Sequence, residues 1–178
     1  MDFESERDRA LFFNYSVPCA KVFVKRKILK QEDFDKLIES VSKNKQMPEG
    51  TEKIFELALR KCKGVVNNID NQKINEKAIR EYFWIAHDRV AKIRYGEMHD
   101  FDLDECIVYP GKVLDIKNKK ALVNTPVKTN YYRTDFVSEL KKGDYVVVHY
   151  DFIVEKIPEE KAKLLWKLKE SYFKSKKV

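Results

Sequence analysis

Two stretches carry the reading of the second half of this chain: Cys106-Ile107-Val108-Tyr109-Pro110-Gly111-Lys112-Val113 and Gly143-Asp144-Tyr145-Val146-Val147-Val148-His149-Tyr150-Asp151-Phe152. Both are crowded with β-branched and aromatic residues, which suit a pleated, half-buried surface. Gly143-Asp144 is a turn pair, and the Tyr145–His149 run behind it reads as a buried strand. Between the two stretches, Val113, Leu114 and Ile116 lead into Asn118 and its lysines, a hairpin turn, and Ala121 and Val123 resume the alternation. Phe152, Ile153, Val154 and Ile157 continue the β pattern. Pro158, Glu159 and Glu160 then open a final helix, because acidic groups favour the N-terminal end of the helix dipole. That helix presents Ala162, Leu165, Trp166, Leu168, Tyr172 and Phe173.

Working outward, the first 97 residues read as helices. Leu11, Phe12 and Tyr15 share a helical face before Pro18. Phe34, Leu37, Ile38 and Val41 repeat the i, i+3, i+4, i+7 pattern. Pro48 suits the first turn of the next helix, which carries Ile54, Phe55, Leu57, Ala58 and Leu59, and Gly64 is a natural stop. Asn75 is placed to cap a further helix burying Ile79, Tyr82, Phe83, Ile85, Ala86 and Val90, with Gly96 at its end. Residues 98–105 are acidic and lack helical period, so they read as a linker. The expected class is α+β: an all-α domain over 1–97, the acidic linker 98–105, and a β domain with a C-terminal helix over 106–178.

Of the 178 residues, 43% are hydrophobic, enough for a packed core, and the formal net charge of +7 permits a nucleic-acid, acidic-protein or membrane-surface partner without choosing among them. The positive charge gathers in the tail from Lys156 onward, where a solvated helix face accounts for it. Three cysteines, Cys19, Cys62 and Cys106, are too few for a disulfide framework. No leading apolar stretch resembles a signal peptide, and no run approaches the ~20 apolar residues that span a bilayer. The expectation is a cytoplasmic protein with reduced thiols and no membrane partner. With five glycines and no phosphate-binding loop, G-x-S-x-G elbow or H-E-x-x-H pair, nucleotide-binding and common hydrolase sites are disfavoured.

The cysteine ahead of Pro110-Gly111 and its valine strand, followed by Arg133, Leu140 and the Gly143-Asp144 strand ending in His149 before Phe152, resembles the two signatures of the HypC/HupF hydrogenase-assembly chaperones. The likeness covers residues 106 to about 170. It implies a small OB-like β-barrel followed by a helix. The helical half has no counterpart in those chaperones. Asn14-Tyr15-Ser16-Val17-Pro18 and Tyr82-Phe83-Trp84-Ile85 are instead similar to pieces of a HypC-related prokaryotic family that recur before a Cys-containing barrel; that second likeness implies no activity.

The chaperones help deliver an iron centre bearing cyanide and carbon monoxide to a hydrogenase large subunit. The resemblance therefore makes Cys106 the candidate iron-binding thiolate and His149 its partner ligand, with Pro110 and Gly111 shaping the turn that presents the thiol and Gly143 and Asp144 completing the second signature. Thiolate and imidazole suit such an ion. Iron would be held transiently, and the partners would be hydrogenase maturation factors or a hydrogenase large-subunit precursor. In the relatives the cysteine follows the initiator methionine. Here it is internal, with Asp104 and Glu105 directly before it. Carboxylates disfavour a bare thiolate, although a bound metal deprotonates a coordinating thiol. Asp151 stands where the relatives usually have glycine.

Residue by residue, plainer readings stand beside these. Cys106 also reads as a small buried residue at a strand start, and His149 as a strand-end histidine bonded to backbone. Cys19 and Cys62 read as helix-core residues without zinc-site spacing. His87-Asp88 is a pair that ligates metal in phosphohydrolases but lacks the further histidines such sites need. His99, Asp100, Asp102 and Asp104 offer oxygen ligands but read first as linker. Trp84 and Trp166 read as core or interface residues. The leading function is a non-catalytic assembly chaperone or interaction module for NiFe-hydrogenase maturation. The alternative is a single-stranded nucleic-acid-binding protein contacting its ligand through Lys128, Tyr131, Tyr132 and Arg133. A metal-dependent hydrolase comes third, because no acid, base and nucleophile gather in the sequence.

Overall fold

In the computed structural model, the Ser5 hydroxyl accepts the Asp8 N–H at 3.1 Å and starts α1 (Glu6–Ser16), the role a short polar side chain plays at a helix start. The structure describes all residues except 1, 49, 67–72, 100 and 176–178, with backbone alone for 171–175. The expectations for Asp100 and for the Tyr172 and Phe173 side chains therefore lie outside the described residues. The chain divides into two compact units, residues 1–103 and 104–178.

In the first unit α1 runs into a 3-10 turn (Val17–Ala20) with Pro18 in its first positions, then α2 (Lys21–Lys25). α3 (Gln31–Ser42) buries Phe34, Leu37 and Ile38 at the expected spacing. α4 (Thr51–Ile54) begins three residues after Pro48, with Gly50 in the left-handed region (φ +81°) as its cap. Pro48 thus precedes the helix instead of occupying its first turn; its carbonyl accepts from the Thr51 hydroxyl. α5 (Glu56–Val66) passes through Gly64, which does not end it. Gly64 stands on an exposed face where an added Cβ meets nothing within 4 Å. Asn75 does cap α6 (Glu76–Glu81), its side chain accepting the Ala78 N–H at 3.1 Å.

A π-turn (Tyr82–Ala86) separates α6 from α7 (His87–Tyr95). Its wider winding breaks the 3.6-residue phase. Ile85 and Ala86, expected inside, are exposed, while Tyr82, Phe83 and Trp84 are buried. The core of this unit is aromatic. Tyr15 stacks on Phe83 with ring centroids 5.0 Å apart, and Phe12 meets Phe13 edge-on. Trp84 Nε1–H donates to the Tyr15 hydroxyl at 2.8 Å, so the indole is a core residue with its polar atom satisfied.

A short turn, α8 (Leu103–Cys106), occupies the end of the expected linker and leads into β1 (Tyr109–Lys117) of the second unit. Asn118 and Lys119, both at positive φ, form the tight turn to β2 (Lys120–Asn124), the geometry that matches strand twist in a two-residue hairpin. β3 (Thr129–Arg133) adds a strand that the sequence pattern left unmarked; of its side chains Tyr132 alone is buried. β4 (Tyr145–His149) and β5 (Phe152–Ile157) form the second hairpin. The strands close in the order β1-β2-β3-β5-β4, antiparallel except where β3 meets β5 at Arg133 and Phe152. This is the expected OB-like barrel in an α+β chain. Bulges fall at Leu114 in β1 and at Val154 in β5. The second explains why Ile153 and Val154, neighbours in sequence, are both buried. Helix α9 (Glu159–Ser175) packs on β1 and β4 through Ala162 and Leu165. Leu164, Trp166 and Leu168 of the same helix are 43–51% exposed, so the expected apolar face is narrower than the sequence suggests. No described helix is long and apolar enough to cross a membrane.

Candidate metal centre

Cys106 ends α8, and His149 ends β4. Their sequence neighbours bring them together. Tyr150 and Asp151 make the two-residue turn between β4 and β5, with Tyr150 in the left-handed region (φ +54°). From there the Tyr150 N–H donates to the Glu105 carbonyl at 2.9 Å, which ties the β4–β5 turn to the residue before Cys106. The Arg133 N–H donates to the Asp151 carbonyl at 2.8 Å and anchors the same turn to β3. With these tethers the Cys106 sulfur and a His149 ring nitrogen lie within 4.8 Å of one another. Both residues are buried, at 3% and 0% exposure. A soft thiolate beside an imidazole is a donor pair for a late transition metal.

Pro110 and Gly111 are not in a turn. Both lie in β1, opposite Val147 and Val146 of β4. A Cβ on Gly111 would stand 2.4 Å from Val123 Cγ1, so the glycine lets β1 and β2 approach closely. The pair itself forms no turn, and Ile107, a bend residue, Val108 and Tyr109 separate it from Cys106. Gly143 does need its freedom, at φ +95°. Its N–H bonds the Val113 carbonyl at 2.8 Å, and Val113 N–H returns a bond to Asp144 at 2.9 Å. Asp144 Oδ2 accepts the Lys141 N–H and pairs with Lys156 Nζ, both at 2.7 Å. Desolvation works to raise the Asp144 carboxyl, but Lys156 and the Lys141 N–H outweigh it and hold the group below the usual carboxylate range. Gly143 and Asp144 thus organise the barrel and do not touch the thiol–imidazole pair.

Lys128, Tyr131, Tyr132 and Arg133 do not form one binding face. Tyr131 is 44% exposed, whereas Tyr132 points into the barrel and is 2% exposed. Arg133 makes a two-pronged bond to Asp135, both prongs at 2.9 Å, and covers the Phe152 ring at 4.7 Å. His99 and Asp102 are exposed. Cys62 is a core thiol, fully buried and pushed up to about 12 by desolvation. Cys19 is not: it is part-exposed, and its sulfur lies 3.5 Å from His87 Nε2. Nothing in the sequence spacing marks that contact, which joins residues 68 apart.

The fold and pair define the barrel unit as a small OB-like domain with a buried thiol–imidazole pair and a C-terminal helix. Residues 106–168 match the family model of the HupF/HypC family, which places the C-terminal part of the chain in that family's likeness, with the helical region preceding it. A search of curated proteins finds no match to the chain.

Proposed function

We propose that this chain is an assembly protein of the hydrogenase-maturation type, in which Cys106 and His149 hold iron during its transfer to a client. The family match supports a maturation-chaperone role in general terms and a partner among hydrogenase maturation factors or a large-subunit precursor. The observation that carries the finer reading is the proximity of the two ligand atoms, reached through the Tyr150–Glu105 bond. Iron is cargo here. The thiol loses its proton on coordination, and the imidazole supplies a neutral second donor. Burial of both groups favours slow exchange with solvent, which suits a carrier better than a catalyst.

The test uses protein purified without oxygen from hydrogenase-producing cells. Iron content and infrared cyanide and carbon monoxide stretches are compared among wild type, Cys106→Ala and His149→Ala. The proposal expects iron in wild type and its loss with Cys106. Iron content unchanged in Cys106→Ala overturns the thiolate role. Copurification with maturation factors, read by mass spectrometry, tests the partner class separately.

A further inference from the structure

The helical unit holds its own thiol–imidazole pair, outside the residues that match the family. Cys19 sits in the 3-10 turn behind Pro18, and its sulfur faces His87 Nε2 at 3.5 Å. On the other side of the ring, Nδ1 lies 3.3 Å from Asp88 Oδ1. A carboxylate only accepts hydrogen bonds, so Nδ1 carries the proton of the neutral ring and Nε2 turns its basic side to the sulfur. Carboxylate–histidine–metal arrays are built in this sense, with the acid fixing the tautomer and raising the donor strength of the ligating nitrogen.

The surrounding structure holds the ring in place. His87 is 5% exposed and lies against Phe83 and Tyr82, with ring centroids at 5.3 and 5.9 Å. It follows the π-turn directly, and its N–H reaches back to the Tyr82 carbonyl. Such turns are costly irregularities that concentrate at functional sites. Cys62, in contrast, has the burial of a plain core thiol. We propose that Cys19 and His87, oriented by Asp88, are ligands of a late first-row divalent transition-metal ion. They supply two positions of a tetrahedral shell. Binding releases the Cys19 thiol proton to solvent and leaves the Asp88–His87 bond intact.

The test titrates metal-stripped full-length protein with Co(II) without oxygen. Thiolate ligation is read from the near-ultraviolet sulfur-to-cobalt band. The wild type is expected to show it. Cys19→Ser and His87→Gln are expected to lose or sharply weaken it, and Asp88→Asn to lower affinity by about 10–100-fold, with recovery in Asp88→Glu. Cys106→Ser is run in parallel. If it alone changes the titration, while Cys19→Ser and His87→Gln match wild type, the proposal is overturned. Wild-type protein gives an independent reading free of any folding defect: bound Co(II) should protect Cys19 from iodoacetamide, mapped by peptide mass spectrometry. Equal Cys19 alkylation with and without metal also overturns it.

Discussion

Gly111→Ala tests whether the glycine of the first signature serves close strand approach. The added methyl would stand 2.4 Å from Val123 Cγ1, 3.2 Å from the Asn124 carbonyl and 3.3 Å from Thr125 Cγ2. Carbon atoms rest at about 3.5–4.0 Å, so the Val123 contact overlaps by roughly 1 Å or more. Val123 is fully buried in β2 and paired with Val113, so the overlap must be relieved inside the packed barrel. Overpacking of this kind costs about 1–3 kcal/mol. In a domain of this size each kcal/mol lowers Tm by about 4–8 °C. Val123→Ala alone removes two buried methyl groups, about 1.6 kcal/mol at about 0.8 each, plus a cavity term. In the double variant the methyl added at position 111 would enter the space Val123 vacates. The combined loss should therefore fall short of the sum by about 1 kcal/mol or more, against the about 0.3–0.5 kcal/mol scatter of independent sites. Urea unfolding measures it. The chain has two tryptophans, so a Trp84→Phe background makes Trp166 the sole indole and reports the barrel unit alone. Additive effects, or an unchanged midpoint in Gly111→Ala, would refute the close-approach reasoning.

Trp166→Ala should cost about 2 kcal/mol, below the about 3–5 kcal/mol of a fully buried aromatic, because the side chain is 48% exposed; thermal unfolding checks it, and a cost above about 3 kcal/mol would contradict that exposure. The Asp144 carboxyl is held below its ordinary value of 3.8 in the folded state. Its contribution to stability is then fully present above that value and is lost as pH falls through the lower folded one. Asp144→Asn should flatten this acid limb in unfolding curves recorded from neutral pH downward, and an unchanged limb would show that the Lys156 pairing adds nothing.

Four of the barrel's five strands were legible because their information is local. Asn118 with its lysines, Gly143-Asp144 and the Tyr145–His149 run each act over a few residues, and the helix start at Asn75 needs only a side chain three positions before Ala78. β3 was not legible, since Tyr132 alone faces inward and the rest of the strand is exposed. Ile85 misled because periodicity assumes an unbroken 3.6-residue winding, and the π-turn has another. Gly64 misled because glycine permits a helix end without compelling one.

By itself the sequence determined the succession of a helical half and a β half, the α+β class and the two motif stretches that hold Cys106 and His149. These follow from backbone propensity, side-chain period and turn chemistry, all short-range. Only the tertiary structure decided what the functional side chains face. Gly111 owes its identity to Val123 across the sheet, Cys106 owes its neighbour to the Tyr150–Glu105 bond, and Cys19 meets His87 across 68 residues of chain. Contacts of that range are set by how elements pack, and no spacing along the chain encodes them.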